Sequence, residues 1–159
     1  MKPIEHYIPH QPPMRLVEQV VMVSAEQAIT ESTVADDNIF YDADLKGLPA
    51  WVGLEYLAQT AAVWLGAECE RRGNPIKPAF LLSTREYTAE QPVWPSGERL
   101  RVQVRPEWFD LPLVSFVGEV LNYQGEPLVK AVFSAYQPED FEQYLSASEP
   151  DRATYNKQE

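Results

Sequence analysis

The sequence predicts an α+β domain in which an antiparallel sheet wraps one long buried helix. Two observations support this fold class. Residues 49–72 have a helical pattern whose apolar side chains cover nearly every face, and a helix of that kind is buried in a core or spans a membrane. This segment is too short and too interrupted to span a bilayer. Around it the chain has the pattern of strands, two before the helix and about four after it.

Six segments have the composition of strands. They lie at residues 14–23, 28–34, 80–86, 98–105, 113–123 and 128–136. The segment 98–105 alternates polar and apolar side chains, as an antiparallel strand with one buried face does. A hairpin turn at 124–126 joins the last two segments. A sheet wrapped around the helix accounts for this order, and it leaves one sheet edge free to pair with a second copy of the chain.

Proline and glycine mark the limits of the helix. Residues 35–48 form a predicted loop rich in aspartate, and Pro49 suits the first turn of a helix. Gly73 and Pro75 follow the last helical residues, and this pair predicts that the helix ends at residue 72.

The 159 residues suffice for one domain with its own core. We predict that residues 1–138 form this domain, with a proline-rich N-terminal arm that lies extended on the body. Residues 139–159 are polar and acidic apart from one amphipathic turn, so they predict a loosely ordered tail.

The composition excludes several classes of partner and site. With 24 acidic and 13 basic residues, the net charge is -11, which argues against nucleic acid and against an anionic membrane surface as partners. The single cysteine excludes an internal disulfide, and together with only two histidines it argues against a zinc cluster. The N-terminus has no apolar stretch typical of a signal peptide, which predicts a cytoplasmic protein.

Glu55 is the main candidate for chemistry because it lies in the middle of the apolar helix. Burying a carboxylate without a partner costs roughly several kcal/mol, so such a group is paired, protonated or kept for a reaction. Glu55 is therefore either a catalytic acid or a hydrogen-bonding group at a buried interface.

Two neighbours of Glu55 each have a functional and a structural interpretation. Gln59 lies one turn later on the same face, where it either orients Glu55 or a substrate group, or satisfies buried backbone. Gly53 lies near the start of the helix. There it either lets a thioester carbonyl approach the amide dipoles of the helix N-terminus or permits close packing against the sheet.

Three motifs resemble those of the 3-hydroxyacyl-[acyl-carrier-protein] dehydratases. Residues 8–20 (IPHQPPMRLVEQV) are similar to the family's opening L-P-H-R-x-P-x-L-L-V-D-R-V, residues 48–59 (LPAWVGLEYLAQ) to its helix start, and residues 91–98 (QPVWPSGE) to its R-P-V-x-P-G-D turn. The resemblance covers residues 8–137. The helix motif looks most like that of the diverged dehydratases of aryl polyene gene clusters. The resemblance implies the hot-dog fold.

The family's acid/base pair is a loop histidine and the helix glutamate, brought together across a dimer interface. Glu55 falls on the glutamate position, but the histidine position falls on Tyr41. A tyrosine side chain ordinarily has a pKa of about 10, so it is a poor base at neutral pH. His10 matches a family histidine that is not catalytic. The resemblance thus implies Glu55 and Tyr41 as catalytic residues and Gly53 and Gln59 as substrate-binding residues.

The function that the resemblance implies is dehydration of 3-hydroxyacyl thioesters in a fatty-acid or aryl-polyene-type pathway. The substrate is carried on the phosphopantetheine of an acyl carrier protein, no further cofactor or metal is expected, and the chain forms a homodimer or a heterodimer with another hot-dog chain. Two alternatives stay open. One is a catalytically incomplete subunit that pairs with a histidine-bearing hot-dog chain, which the missing histidine favours. The other is a hot-dog acyl thioesterase, which the motifs fit less well.

Overall fold

Two strands precede the long helix and four strands of the same sheet follow it. The computed structural model describes residues 1–148. In chain order the elements are α1 (Ile4–Tyr7), β1 (Gln19–Val23), β2 (Ala28–Thr33), β3 (Gly47–Pro49), a 3₁₀ turn (Ala50–Val52), α2 (Gly53–Arg71), β4 (Phe80–Ala89), β5 (Val93–Pro95), β6 (Arg99–Asp110), β7 (Leu113–Leu121), β8 (Pro127–Tyr136) and α3 (Phe141–Ser148).

The main sheet has the order β1-β2-β6-β7-β8-β4, and every neighbouring pair is antiparallel. The strand that follows α2 therefore lies at one edge of the sheet and β1 lies at the other. Most side chains of β4 are exposed, Leu82 to 58%. Its register with β8 shifts at two places, as is common in edge strands. Within residues 1–148, β4 has an open edge.

Helix α2 packs across five strands of the main sheet, β1, β2, β6, β7 and β8. Leu57 of the helix and Phe116 and Phe133 of the sheet are fully buried. The prediction of one apolar helix covered by an antiparallel sheet is thus confirmed, and the sheet explains why the helix is apolar on nearly all sides. No helix within residues 1–148 is both long enough and apolar enough to cross a membrane.

The helix ends as its glycine predicts. Gly73 follows the last turn with φ of +72°, and its N–H donates to the carbonyl of Glu70. The N–H of Asn74 reaches back to the carbonyl of Cys69, so two carbonyls of the last turn are satisfied. The predicted start of the helix at Pro49 is wrong, because Pro49 ends β3 and α2 begins at Gly53. The 3₁₀ turn lies between them, and its Trp51 is 62% exposed.

The N-terminal arm is not extended throughout, which corrects the prediction. Ile4 and Tyr7 are buried, and the single turn α1 that carries them packs against α2. The two apolar residues are three positions apart, so one helical turn puts both on the same face. Lys2 and His6 both bond to Glu70 near the end of α2, each at 2.7 Å.

The sequence analysis did not predict two short strands. Gly47–Pro49 and Val93–Pro95 form β3 and β5, a separate antiparallel ribbon beside the start of α2. Trp94 of this ribbon is 1% exposed. Each strand has only three residues and contains proline, so neither shows the alternation by which longer strands are predicted.

The segment after β8 contains more structure than the single amphipathic turn that was predicted. Residues 141–148 form α3, and the Asp140 carboxylate accepts a hydrogen bond from the Gln143 N–H at 2.9 Å. A side chain in this position caps a helix N-terminus. The rest of the predicted tail, residues 149–159, lies outside the described residues.

Candidate functional site

Glu55 lies in the first turn of α2 rather than in the middle of the helix as predicted, because residues 50–52 form a 3₁₀ turn and α2 begins only at Gly53. Its side chain is half-buried. Its Oε1 accepts a hydrogen bond from Gln59 Nε2 at 2.8 Å. A carboxylate near a helix N-terminus is also favoured by the helix dipole. Among residues 1–148 the other oxygen of Glu55, Oε2, has no hydrogen-bond partner, so the side chain is oriented through one oxygen alone.

Gln59 fixes both Glu55 and the chain segment that crosses the helix. Its side chain is 1% exposed. The Oε1 atom accepts from the N–H groups of Leu16 and Val17 at 2.8 and 3.3 Å, and Nε2 donates to the carbonyl of Met14 at 2.9 Å as well as to Glu55. The two structural roles inferred from the sequence, orienting Glu55 and satisfying buried backbone, therefore occur together. Contact between Gln59 and a substrate stays a prediction.

These bonds also correct the predicted limits of the first strand. The pattern of residues 14–23 predicts one strand, but β1 begins at Gln19. The N–H groups of Leu16 and Val17 bond to the Gln59 side chain rather than to a neighbouring strand. An apolar pattern alone cannot distinguish these two ways of satisfying the backbone.

Glu55 lies at one end of an apolar cavity of about 180 Å³ between α2 and the strands β4 and β8. The cavity extends along the helix to Leu65, which is nearly three turns, or roughly 15 Å, from Glu55. Its polar lining residues are His10, Glu55 and Gln59, and its apolar ones are Ala58, Ala61, Ala62, Leu65, Ala79, Phe80, Leu81, Phe133 and Ala135. The site thus combines an oriented carboxylate with a cavity lined largely by alanine methyl groups, which suits a substrate with a polar end and an apolar chain.

His10 is a cavity residue that the sequence analysis did not select. It lines the same cavity as Glu55, and its Nδ1 is buried without a hydrogen-bond partner among residues 1–148. His10 lies far from Glu55 in the sequence, so no spacing rule connects the two residues. The proline-rich segment brings them together because Gln59 binds the backbone that follows it. Within residues 1–148 no group of three or more potential ligands (His, Cys, Asp or Glu) could hold a metal ion.

Tyr41 does not belong to this cavity in the single chain. It is half-buried in the loop before β3, where its N–H donates to the carbonyl of Asn38 and its ring packs against the core. The loop does reach the start of the helix, since Asn38 Nδ2 lies 3.4 Å from the Tyr56 hydroxyl. Contact between Tyr41 and a Glu55 carboxylate across a dimer interface stays a prediction.

Nearly all of the described residues match one protein family. The family model described as ApeP-like, ApeP dehydratase, matches residues 2–146. The chain belongs to the ApeP-like dehydratase family. No curated protein matches the chain.

Solved structures support this membership and the fold. The ApeP-like chain is 31% identical to a chain of the dehydratase heterocomplex ApeI:P from Xenorhabdus doucetiae, with 94% of this chain and 99% of that chain covered and a TM-score of 0.84. Uncharacterised protein PH1136 from Pyrococcus horikoshii is 15% identical, with 88% and 97% covered and a TM-score of 0.65. A hypothetical thioesterase with coenzyme A from Streptococcus pneumoniae TIGR4 is 8% identical, with 76% and 84% covered and a TM-score of 0.61. The last two show the fold alone. The fold is the hot-dog, as the resemblance implied.

In this ApeP-like protein a Cβ on Gly53 would fit only if neighbouring side chains shifted. A Cβ at this position would lie 2.6 Å from the Tyr87 hydroxyl, 2.9 Å from the Trp94 ring and 3.2 Å from Val129. The Tyr87 hydroxyl itself donates to the Ala50 carbonyl. The packing role of Gly53 therefore has direct support, and approach of a thioester carbonyl stays a prediction.

Two tyrosines near the start of the helix remain protonated at neutral pH. Burial raises the pKa of Tyr56 to about 12 and that of Tyr87 to about 12. Each hydroxyl is therefore a hydrogen-bond donor over the physiological range, and neither supplies a base to the Glu55 cavity.

Gly53→Ala should destabilise the protein. Overpacking costs about 1–3 kcal/mol, which exceeds the gain of about 0.5–1 kcal/mol from replacing a helical glycine by alanine. Urea unfolding followed by circular dichroism would measure the loss. A variant with unchanged stability and lost substrate turnover would contradict the packing role and favour substrate approach at Gly53.

Gln59→Leu should lower the free energy of unfolding by about 2–4 kcal/mol, because each buried backbone group left without a partner costs about 1–3 kcal/mol. The matched control is Gln124→Leu, at an exposed turn position, which should leave stability unchanged. Equal midpoints of urea unfolding for the two variants would show that the Gln59 amide does not hold the segment at 14–17.

Proposed function

We propose that this ApeP-like chain dehydrates 3-hydroxyacyl thioesters carried on the phosphopantetheine of an acyl carrier protein, in a fatty-acid or aryl-polyene-type pathway of the cytoplasm. The observation that carries the proposal is the Glu55 carboxylate, oriented by Gln59 at the end of an apolar cavity. Membership in a dehydratase family supports the reaction class. The reaction needs no cofactor beyond the phosphopantetheine of the substrate.

The proposed reaction is an elimination of water. A base removes a proton from C2 of the acyl chain, the electron pair forms the C2–C3 double bond, and the C3–O bond breaks. Protonated Glu55 gives its proton to the departing hydroxyl, so that water and a trans-2-enoyl thioester leave. We assign the proton to Oε2, because Oε1 already accepts the bond from Gln59. Proton transfer by a positioned side chain contributes about 10²–10⁴-fold in rate.

The base comes from a second hot-dog chain in this proposal. Tyr41 replaces the expected loop histidine, and tyrosine is a poor base at neutral pH. The solved dehydratase heterocomplex that resembles this chain contains two different subunits, ApeI and ApeP. We therefore favour a heterodimer in which this chain contributes Glu55 and its partner contributes a histidine from the corresponding loop.

The cavity supports pairing along β4. Phe80 and Leu81, at the start of this edge strand, line the cavity, and Leu81 and Leu82 are 43% and 58% exposed. The cavity volume of about 180 Å³ is also below the range of about 300–1,000 Å³ typical of small-molecule sites. A second chain laid against β4 would cover the exposed leucines and extend the cavity wall.

The purified chain alone should dehydrate 3-hydroxyacyl carrier substrates weakly or not at all, and a histidine-bearing hot-dog partner should restore turnover. In the mixture, Glu55→Gln should lower the rate by about 10²–10⁴-fold, because the amide cannot donate an acidic proton. Glu90→Gln, at an exposed position, is the matched control and should keep the rate.

Two outcomes would contradict this assignment. An unchanged rate for Glu55→Gln in the mixture would make the chain a scaffold for the partner's site. Robust turnover by the chain alone that does not depend on Glu55 would place the active site elsewhere.

Leu82→Glu should abolish association with the second chain, because it places a charge in an apolar contact along the β4 edge. Met22→Glu on the opposite edge strand, where Met22 is 44% exposed, should leave the complex intact. Sedimentation velocity would distinguish these results. Dissociation by Met22→Glu instead would assign the interface to β1.

A further inference from the structure

Helix α3 lies against one wall of the Glu55 cavity. Phe80, the first residue of β4, lines the cavity. The ring of Phe141 stacks on the Phe80 ring with a centroid distance of 5.6 Å and an interplanar angle of 23°, and the ring of Tyr144 does so at 5.5 Å and 28°. Tyr144 also packs against Tyr136 of β8 at 5.5 Å. The helix thus lies across the start of β4 and the end of β8.

Helix α3 depends on these rings for its position. Its eight residues are too few to form a stable helix in isolation. Phe141 and Tyr144 are three positions apart, so they lie on one face of the helix. The Asp140 cap fixes where the helix begins. The aromatic face therefore locates α3, and α3 in turn restrains the ring of Phe80.

The Phe80 side chain is held differently from the other side chains that line the cavity. Five lining residues are alanines, which have no side-chain freedom: Ala58, Ala61, Ala62, Ala79 and Ala135. Phe133 is fully buried and stacks on Phe116 at 5.5 Å inside the core. Phe80 is half-buried on an edge strand, so its large ring is held in place by α3 rather than by the core.

We infer that α3 supports the cavity wall and that Phe80, held by the rings of Phe141 and Tyr144, sets the size of the acyl group that the site accepts. The inference rests on the proposed function, because it concerns the acyl chain of that substrate. With the stack intact, the Phe80 ring limits the cavity to short acyl chains. Without the stack, the ring turns aside and longer chains enter.

The test compares two substrates on the complex with the hot-dog partner: the pantetheine thioesters of 3-hydroxyoctanoate and 3-hydroxypalmitate. The variants are Phe80→Leu, which shortens the wall residue, and the double variant Phe141→Leu/Tyr144→Leu, which keeps apolar volume but removes the rings. Leu145→Ala is the matched control, because Leu145 lies on the same helix and is 47% exposed. The readout is the ratio of kcat/KM for the long chain to that for the short chain.

Both the Phe80 variant and the double variant should raise this ratio by roughly tenfold, the lower end of what a one-methylene change in an apolar pocket produces. Leu145→Ala should leave the ratio unchanged. A shift for Phe80→Leu alone would overturn the role of α3, and no shift for either variant would overturn the role of Phe80. Loss of the complex in the double variant, measured by sedimentation, would assign α3 to the partner interface and also overturn the inference.

Measurements of acyl-chain binding test this inference independently of the proposed reaction. Octanoyl and palmitoyl pantetheine lack the hydroxyl and cannot be dehydrated, so their dissociation constants report the cavity alone. The ratio of these constants should shift in the same variants even if no protein in the series dehydrates the hydroxylated substrates. In that case the proposed reaction fails and the size-setting wall stands. If turnover depends on Glu55 but the binding ratio is unchanged in every variant, the proposed reaction stands and the size-setting role of Phe80 fails.

Discussion

The side-chain amide of Gln59 is the contact on which the site depends. It joins two parts of the molecule that the sheet does not connect: the Glu55 carboxylate in the first turn of α2 and the backbone of residues 14–17. Because Gln59 is 1% exposed, its bonds to the buried N–H groups of Leu16 and Val17 are stronger than they would be at the surface. The carboxylate therefore has a defined orientation, and the proline-rich segment that carries His10 has a fixed path over the helix.

The sheet places this contact next to an open edge. Strand β4 pairs with β8 on one side only within residues 1–148, and the cavity that contains Glu55 reaches the first residues of β4. The core behind it is rigid, since Leu57, Phe116 and Phe133 are fully buried. The molecule thus combines a firmly packed interior with a half-buried carboxylate near a sheet edge that no strand within residues 1–148 covers.

Much of the fold follows from patterns that the sequence shows directly. The six strands and the helix have long apolar repeats, and Gly73 marks the end of the helix. The elements that differ from the prediction are those that depend on contacts between residues far apart in the sequence, or that are too short to have a pattern. The first strand is shorter because a side chain, not a strand, bonds to Leu16 and Val17. The ribbon of β3 and β5 is too short to have a pattern. Helix α3 has an Asp140 cap that could have predicted its start, but its position depends on rings from two strands.

The same distinction applies to the site. A lone carboxylate on an apolar helix indicates Glu55, and helical spacing connects it to Gln59, because both arguments use neighbouring residues. His10 could not be found in this way, since its proximity to Glu55 depends on how a distant segment crosses the helix. The sequence allows two interpretations of Gly53, substrate approach and close packing. The positions of Tyr87, Trp94 and Val129 in the structure favour packing. Tertiary contacts decide what local spacing leaves open.

Both ends of the described chain meet at one cavity: His10 forms part of its lining, and α3 packs behind Phe80 on another wall. Chain termini are usually the places where a domain best tolerates additions and deletions. Here His10 lines the pocket and α3 packs on Phe80, so we expect an affinity tag, a fusion partner or a trimmed expression boundary placed close to either segment to alter the pocket. The exposed hairpin at 124–126, which lies outside the cavity lining, is the better position for an inserted label or linker.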